Sequence, residues 1–262
     1  MYIYIHLYNM KIAVCLYGQP RDYKYGYNCI NELIKSNSEH TYDYFFHCWI
    51  DDNVKYECSP WRRIDEKTLY IEDQNDVKNE ISGLYKPISF LYEKPLDRTC
   101  ADVITEMEYI KNSKAYSNSS ASHRDNVFNI FSQIYSRGKV KDLFEEYITN
   151  SKTQYDIVIS TRFDGWSFPV NLKIPNVQKN KIYVSSMHRP RYIIPDNFLL
   201  MSPEIYINFC NLYKNIENII NNDELDIKMK NLNEKLLFNS EEYLLASFLF
   251  CGCNLTDLEY IF

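Results

Sequence analysis

Residues 154–166 read QYDIVISTRFDGW. Ile157, Val158 and Ile159 form a continuous β-branched run. A run apolar on both faces suits a central strand in a sheet covered on both sides. It ends in Thr161, Arg162, Phe163 and Asp164, and Gly165 breaks it. In open α/β sheets ligands sit at the carboxyl ends of such strands. This end offers one cation, one carboxylate and one glycine. A carboxylate there can hold a divalent metal, and the metal can hold a diphosphate. The same residues also read as a plain hairpin turn, which Asp-Gly favours, with Arg162 a solvated strand-end charge.

Working outward, residues 126–147 precede this strand as a long amphipathic pattern. Val127, Ile130, Phe131 and Ile134 recur at helical spacing, followed by Val140, Leu143, Phe144 and Tyr147. Ser136-Arg137-Gly138 is expected to interrupt it. Gln133 and Arg137 are one turn apart on one face, where they could reach a nucleotide or simply be solvated. Earlier still, residues 11–17, KIAVCLY, form a strand that ends in Gly18-Gln19-Pro20-Arg21. Gly18 lets a ligand approach the backbone, and Arg21 can fork onto phosphate. The stretch is neither GxGxxG nor a P-loop, so an ordinary strand-to-helix turn is equally available. Residues 25–35 are helical, and residues 42–50, YDYFFHCWI, make a second strand followed by Asp51 and Asp52. Strand, helix and strand in this order favour a right-handed parallel unit.

Residues 67–71 and 88–92 suggest short strands around a helix near 75–82. Residues 103–110 are helical, and 113–122, SKAYSNSSAS, read as a mobile loop. Beyond the central strand come a strand at 182–185, the segment MHRPR at 187–191, and a polar loop, IPDN, running into a buried strand that ends at Met201. Ser202-Pro203-Glu204 starts a helix expected to reach about Ile220. Residues 221–233 are polar, and Ser240-Glu241-Glu242 opens a last helix. Acids suit that first turn.

The whole chain of 262 residues can bury a sizeable core. Its net charge of −6 argues against a dedicated nucleic-acid binder. Among the eight cysteines no CxxC pair occurs, which argues against a zinc ribbon or thioredoxin-type site and points to a reducing compartment. The apolar start, MYIYIHLYNM, lacks a basic region and is too short to span a bilayer, and no other segment approaches spanning length. Residues 1–10 are read as an N-terminal extension. A high tyrosine content, 24 residues, is accounted for by AT-rich codon usage together with Asn, Ile and Lys.

Taken in order, KIAVCLYGQPR, FSQIYSRGKVKDLFEEY, YDIVISTRFD, IPDNFLLMSPEIY and SEEYLLASFLF together resemble GT-A-like glycosyltransferases of large DNA viruses and bacterial surface-polysaccharide clusters. The resemblance covers most of residues 11–250 and rests on the ordered set of segments. It implies an α/β, GT-A-like (Rossmann-like) fold: a mainly parallel central sheet with helices on both faces. Residues 11–262 would form one domain, with a donor-binding half at about 11–165 and an acceptor-side half at about 166–262. The partners implied are a nucleotide-sugar donor and a glycan or glycoprotein acceptor, in the cytoplasm (the host's, for a viral protein). Such enzymes hold manganese or magnesium on Asp-x-Asp, whereas this chain has Arg162-Phe163-Asp164 and keeps only the last carboxylate. The expected donor-binding set is Gly18, Gln19, Arg21, Gln133, Arg137, Arg162 and Asp164, with Asp164 and His188 as metal ligands. Asp196, in the loop before the acceptor-side strand, is the expected catalytic base, with Glu242 and Glu241 in reserve. Asp196 reads equally as a Pro-Asp-Asn turn residue. A nucleotidyltransferase and a non-catalytic glycan-binding domain are the alternatives.

Overall fold

The computed structural model describes residues 9–50, 57–58, 69–70, 74–165, 168–185 and 194–261. The first strands are β1 (Lys11–Gly18), β2 (Thr41–Trp49) and the short pair β3 (Glu57–Cys58) and β4 (Leu69–Tyr70). They are followed by β5 (Ser89–Glu93), β6 (Ile157–Arg162), β7 (Ile182–Val184), β8 (Phe198–Met201) and β9 (Leu258–Tyr260). Seven of them form one sheet in the order β5-β2-β1-β6-β8-β7-β9, and β3 pairs only with β4. The β1–β2, β1–β6, β2–β5 and β7–β9 pairings are parallel, whereas β6–β8 and β7–β8 are antiparallel. The three strands expected to be neighbours therefore are neighbours, with β1 central. The helices are α1 (Tyr23–Ser36), α2 (Gln74–Tyr85), α3 (Ala101–Lys111), α4 (Lys114–Asn118), α5 (Ala121–Asp125) and α6 (Val127–Ser151). After β8 come α7 (Pro203–Phe209), α8 (Ile216–Ile220), α9 (Asp223–Asn231) and α10 (Ser240–Phe250).

Strand side chains alternate between faces, so β1 feeds two cores. Ile12, Val14 and Leu16 join Cys29, Ile30 and Leu33 of α1 and Ile81 and Tyr85 of α2. Ala13, Cys15 and Tyr17 join Ile130, Ile134 and Phe144 of α6, with α7 and α10 behind. This is the expected α/β architecture, a mostly parallel sheet with helices on both faces. On the α1 side the approach is close: a Cβ on Gly26 would lie 1.8 Å from the Phe163 carbonyl oxygen, and one on Gly165 would lie 2.7 Å from the Gly26 Cα. Gly165 also has a φ of +58°, where side chains are strained. The two glycines let α1 lie directly on the turn that follows β6.

Three segments differ from the sequence reading. Ser136, Arg137 and Gly138 do not interrupt α6; all three are buried, Arg137 is a good helix former, and packing outweighs the weak helix preference of Gly138. Residues 113–122 hold most of two short helices instead of a loop, because Ser113 and Ser120 cap them by accepting the N–H of Tyr116 and His123, and Ala115 is fully buried. The helix begun by Ser202 stops at Phe209, and α8 resumes only at Ile216. Residues 1–8, Asp51, Asp52 and 187–191 lie outside the described residues. Among those described, no helix is long and apolar enough to cross a membrane.

The glycine contact yields a paired expectation for calorimetric melting. Gly26→Ala should cost about 3 kcal/mol by overpacking, lowering Tm by roughly 6–12 °C. Gly83→Ala, in an exposed turn of α2 with nothing within 4 Å of the added methyl, should gain about 0.5–1 kcal/mol. Equal melting of the two variants would refute the close packing of α1.

Candidate functional site

The strand order reverses at β1: β2 and β5 follow to one side and β6 to the other. In doubly wound sheets the crevice outside the carboxyl ends at such a switch point is where ligands bind. Tyr17 pairs with Arg162 across β1 and β6, so Gly18 and Asp164 emerge side by side from parallel strands. Because β8 runs antiparallel, its first residue, Phe198, lies opposite Thr161. Asp196, two residues earlier, therefore reaches the same edge. The amino-terminal half of α6 closes the group from one face, since Gln133, Ser136 and Arg137 share one side of the helix.

Arg162 joins the two carboxylates. It bonds Asp164 through Nη2, and its Nη1 lies 3.4 Å from Asp196 Oδ2. Gln133 donates to the same Oδ2 at 2.6 Å. The side chains of Arg162, Asp164 and Asp196 keep 21%, 13% and 21% of their surface exposed, so the cluster remains open to a ligand. Burial works to push the Asp196 carboxyl up, but Arg162, Arg137 and Gln133 outweigh it and hold the group below its ordinary value. Burial likewise opposes the charge on Arg162, and the two carboxylates more than restore it. Beneath them, the Arg137 guanidinium is 1% exposed and lies 4.1 Å from the Tyr17 ring centre. It donates to the Tyr17 hydroxyl and the Asp196 carbonyl, and that hydroxyl donates to the same carbonyl. Its Nη1 has no partner among the described residues.

On the β1 side, Gly18 has a φ of +100° and its N–H donates to Ser136 Oγ at 2.8 Å. Arg21 Nε donates to the Gln19 side chain at 2.9 Å, folding these two residues together in the turn. The expected residues Gly18, Gln19, Arg21, Gln133, Arg137, Arg162, Asp164 and Asp196 thus meet at one edge of the sheet. Glu242 has no hydrogen bond to these residues. It is 6% exposed in the first turn of α10, and its N–H donates to Asn239. Glu241 lies in the same first turn. His188 lies outside the described residues. Among the described residues no group of three His, Cys, Asp or Glu side chains could hold a metal ion. Asp164 and Asp196 are both committed to Arg162, so this donor set does not fit a divalent cation as it stands. A cavity of about 280 Å³ opens between Tyr135, Lys139, Asp142, Tyr213 and Lys214. Helical geometry sets those α6 residues opposite Gln133 and Arg137, so it belongs to a different surface.

Sequence reasoning does not single out Tyr17, His47, Glu93 or Ser136. The available signal is a polar residue inside an apolar run, such as His47 in β2, which must find a partner when buried.

No protein-family model matches the chain, and no curated protein sequence matches it either. Among solved structures, the galactosyltransferase LgtC in complex with donor and acceptor sugar analogues aligns with 96% of this chain and 73% of its own length, at 10% identity and a TM-score of 0.36.

The charge balance of the cluster can be tested by pH. In the wild type, Asp196 has a lowered folded pKa, so its contribution is present above the unfolded value of about 3.9 and is lost as pH falls through the folded one. Arg162→Met leaves Asp196 without the cation that does most to hold its carboxyl down, which raises its folded value. The variant should lose about 2 kcal/mol at pH 7 and recover part of it as pH falls towards about 5, where the Asp196 carboxyl takes up a proton. Chemical denaturation at both pH values reads this. A deficit unchanged by pH would show that Asp196 does not depend on Arg162.

Proposed function

We propose that this chain is a glycosyltransferase, transferring a sugar from a nucleotide-diphosphate-sugar donor to a hydroxyl acceptor on a glycan or glycoprotein. The observation that carries the reading is Arg162 at the switch point, beside a glycine turn that holds Gln19 and Arg21. The sequence resemblance points the same way. A departing nucleoside diphosphate gains negative charge, and cations placed there in advance stabilise its transition state. Arg162 and Arg21 supply that charge. Asp164 orients Arg162.

Asp196 is the proposed base, but a carboxylate held below its ordinary value is a weak proton acceptor. A diphosphate that draws Arg162 towards itself would raise the proton affinity of Asp196. Donor binding would then prepare the base. A non-catalytic binding domain is the second reading, and it is favoured by the commitment of both carboxylates to one arginine.

Thermal shift with UDP, GDP, ADP and CDP, each with and without manganese, tests the donor site. One nucleotide should stabilise by about 2.7 kcal/mol at a hundred times its Kd, raising Tm by roughly 5–10 °C. Arg21→Gln should remove most of the shift while leaving the ligand-free Tm within about 2 °C. Stabilisation by oligosaccharides alone would replace transfer with glycan binding.

A further inference from the structure

Beside the cluster lies a line of three side chains that the proposed chemistry does not use, and it ends on Gly18. Glu93, at the end of β5, places Oε2 2.9 Å from His47 Nε2. His47 Nδ1 lies 2.7 Å from Ser136 Oγ, and Ser136 Oγ accepts the Gly18 N–H. His47 and Ser136 are fully buried. The direction of each bond follows from chemistry. An ionised Glu93 only accepts, so Nε2 carries the imidazole proton. Nδ1 is then bare and accepts from the Ser136 hydroxyl, whose lone pairs face the Gly18 N–H. Every donor has an acceptor in one arrangement only.

The same residue types activate serine nucleophiles in hydrolases. Here burial closes Ser136 to an acyl group, and its oxygen already serves Gly18. The line ends instead on the turn that carries Gln19 and Arg21. After Gly18 the chain is stiff: Pro20 fixes its own φ, and the Arg21 N–H bonds the Gln19 carbonyl at 2.8 Å across it. Whatever sets the Gly18 peptide therefore aims the whole turn.

We propose that Glu93, His47 and Ser136 form a hydrogen-bond relay that sets the Gly18 peptide, making His47 and Ser136 positioning residues for the donor turn; the word donor rests on the function proposed above. The relay responds to protons. The groups facing His47 are Glu93 from β5 and Tyr135 and Lys139 from α6, with the edge of Trp49 4.5 Å away between ring centres. Burial lowers the His47 pKa, and Glu93 only partly opposes this, so the ring is neutral at pH 7. When the ring protonates, Nδ1–H becomes a donor. It then points at Ser136 Oγ, so the serine hydroxyl loses its acceptor and must rotate, which turns the lone pairs away from the Gly18 N–H. The relay is complete above the folded pKa and breaks as pH falls through it.

Nitrogen-15 NMR and calorimetry on the full chain test this with wild type, Ser136→Ala, Ser136→Thr and His47→Gln. In wild type the His47 shifts should report a neutral ring protonated on Nε2. Exchange protection of the Gly18 amide should fall in step with His47 protonation on acidification. Ser136→Ala should free that amide at every pH and weaken binding of the nucleotide with the largest thermal shift by about fivefold to tenfold, while Ser136→Thr restores both. His47→Gln should remove the pH dependence of Gly18 exchange. Protection of Gly18 in Ser136→Ala equal to wild type would overturn the relay, as would unchanged nucleotide affinity with the amide freed. Failure of all four nucleotides to bind wild type would instead defeat the donor reading, and Gly18 exchange would still decide whether the relay holds the turn.

Discussion

A guanidinium buried in an interior is tolerable only if it is well bonded, because leaving a charge unpaired in a low-dielectric core costs several kcal/mol. Arg137 is such a group, and its needs organise the carboxyl edge of the sheet. It lies over Tyr17 of β1, donates to the Tyr17 hydroxyl and holds the Asp196 carbonyl. A helix, the central strand and the loop before β8 are thereby locked together. On the same face of α6, Gln133 fixes the Asp196 side chain and Ser136 fixes Gly18. Residues 194–197, just before β8, have no regular secondary structure to place them, yet the Asp196 carboxylate is fixed from two sides. Arg162 then completes the charge balance.

The sheet was readable because its centre is unambiguous. Strands β1 and β6 are apolar on both faces, and only a covered central position satisfies such runs. Period-2 alternation in β1 also divides the two cores. The site was readable in part, because Gly18 and Arg162 end these strands and Asp164 lies two residues beyond β6. The remaining contacts were hidden for identifiable reasons. Helical spacing places Gln133, Ser136 and Arg137 on one face but does not say that the face is inward. Buried arginines and serines leave the same pattern as solvated ones until their partners are known. Likewise β9 offers only LEY at the chain's end. It pairs in parallel with β7 and becomes the edge of the sheet. The serines of 113–122 read as a loop, whereas Ser113 and Ser120 cap helices and Ala115 finds a core.

The pairing of cation and carboxylates carries opposite implications for binding and turnover. A strongly compensated cluster is pre-organised, which lowers the cost of receiving a charged ligand. The same compensation holds each carboxylate away from proton transfer. A site of this kind gains catalytic power only when the ligand replaces one partner of the ion pair. Arg162, touching both acids, is the residue whose movement would do so.

The position of β1 has a further consequence during synthesis. One edge of this strand is satisfied early by β2, but the other waits for β6; Lys11 meets Asp156 across 145 residues of chain. At about 5–20 residues per second on the ribosome, that gap corresponds to roughly 7–30 s in which a strand whose residues 12–17 are all buried in the fold has an open hydrogen-bonding edge. An unpaired edge of this kind is a template for association with other chains. That edge of β1 is closed only once residues 157–162 clear the exit tunnel.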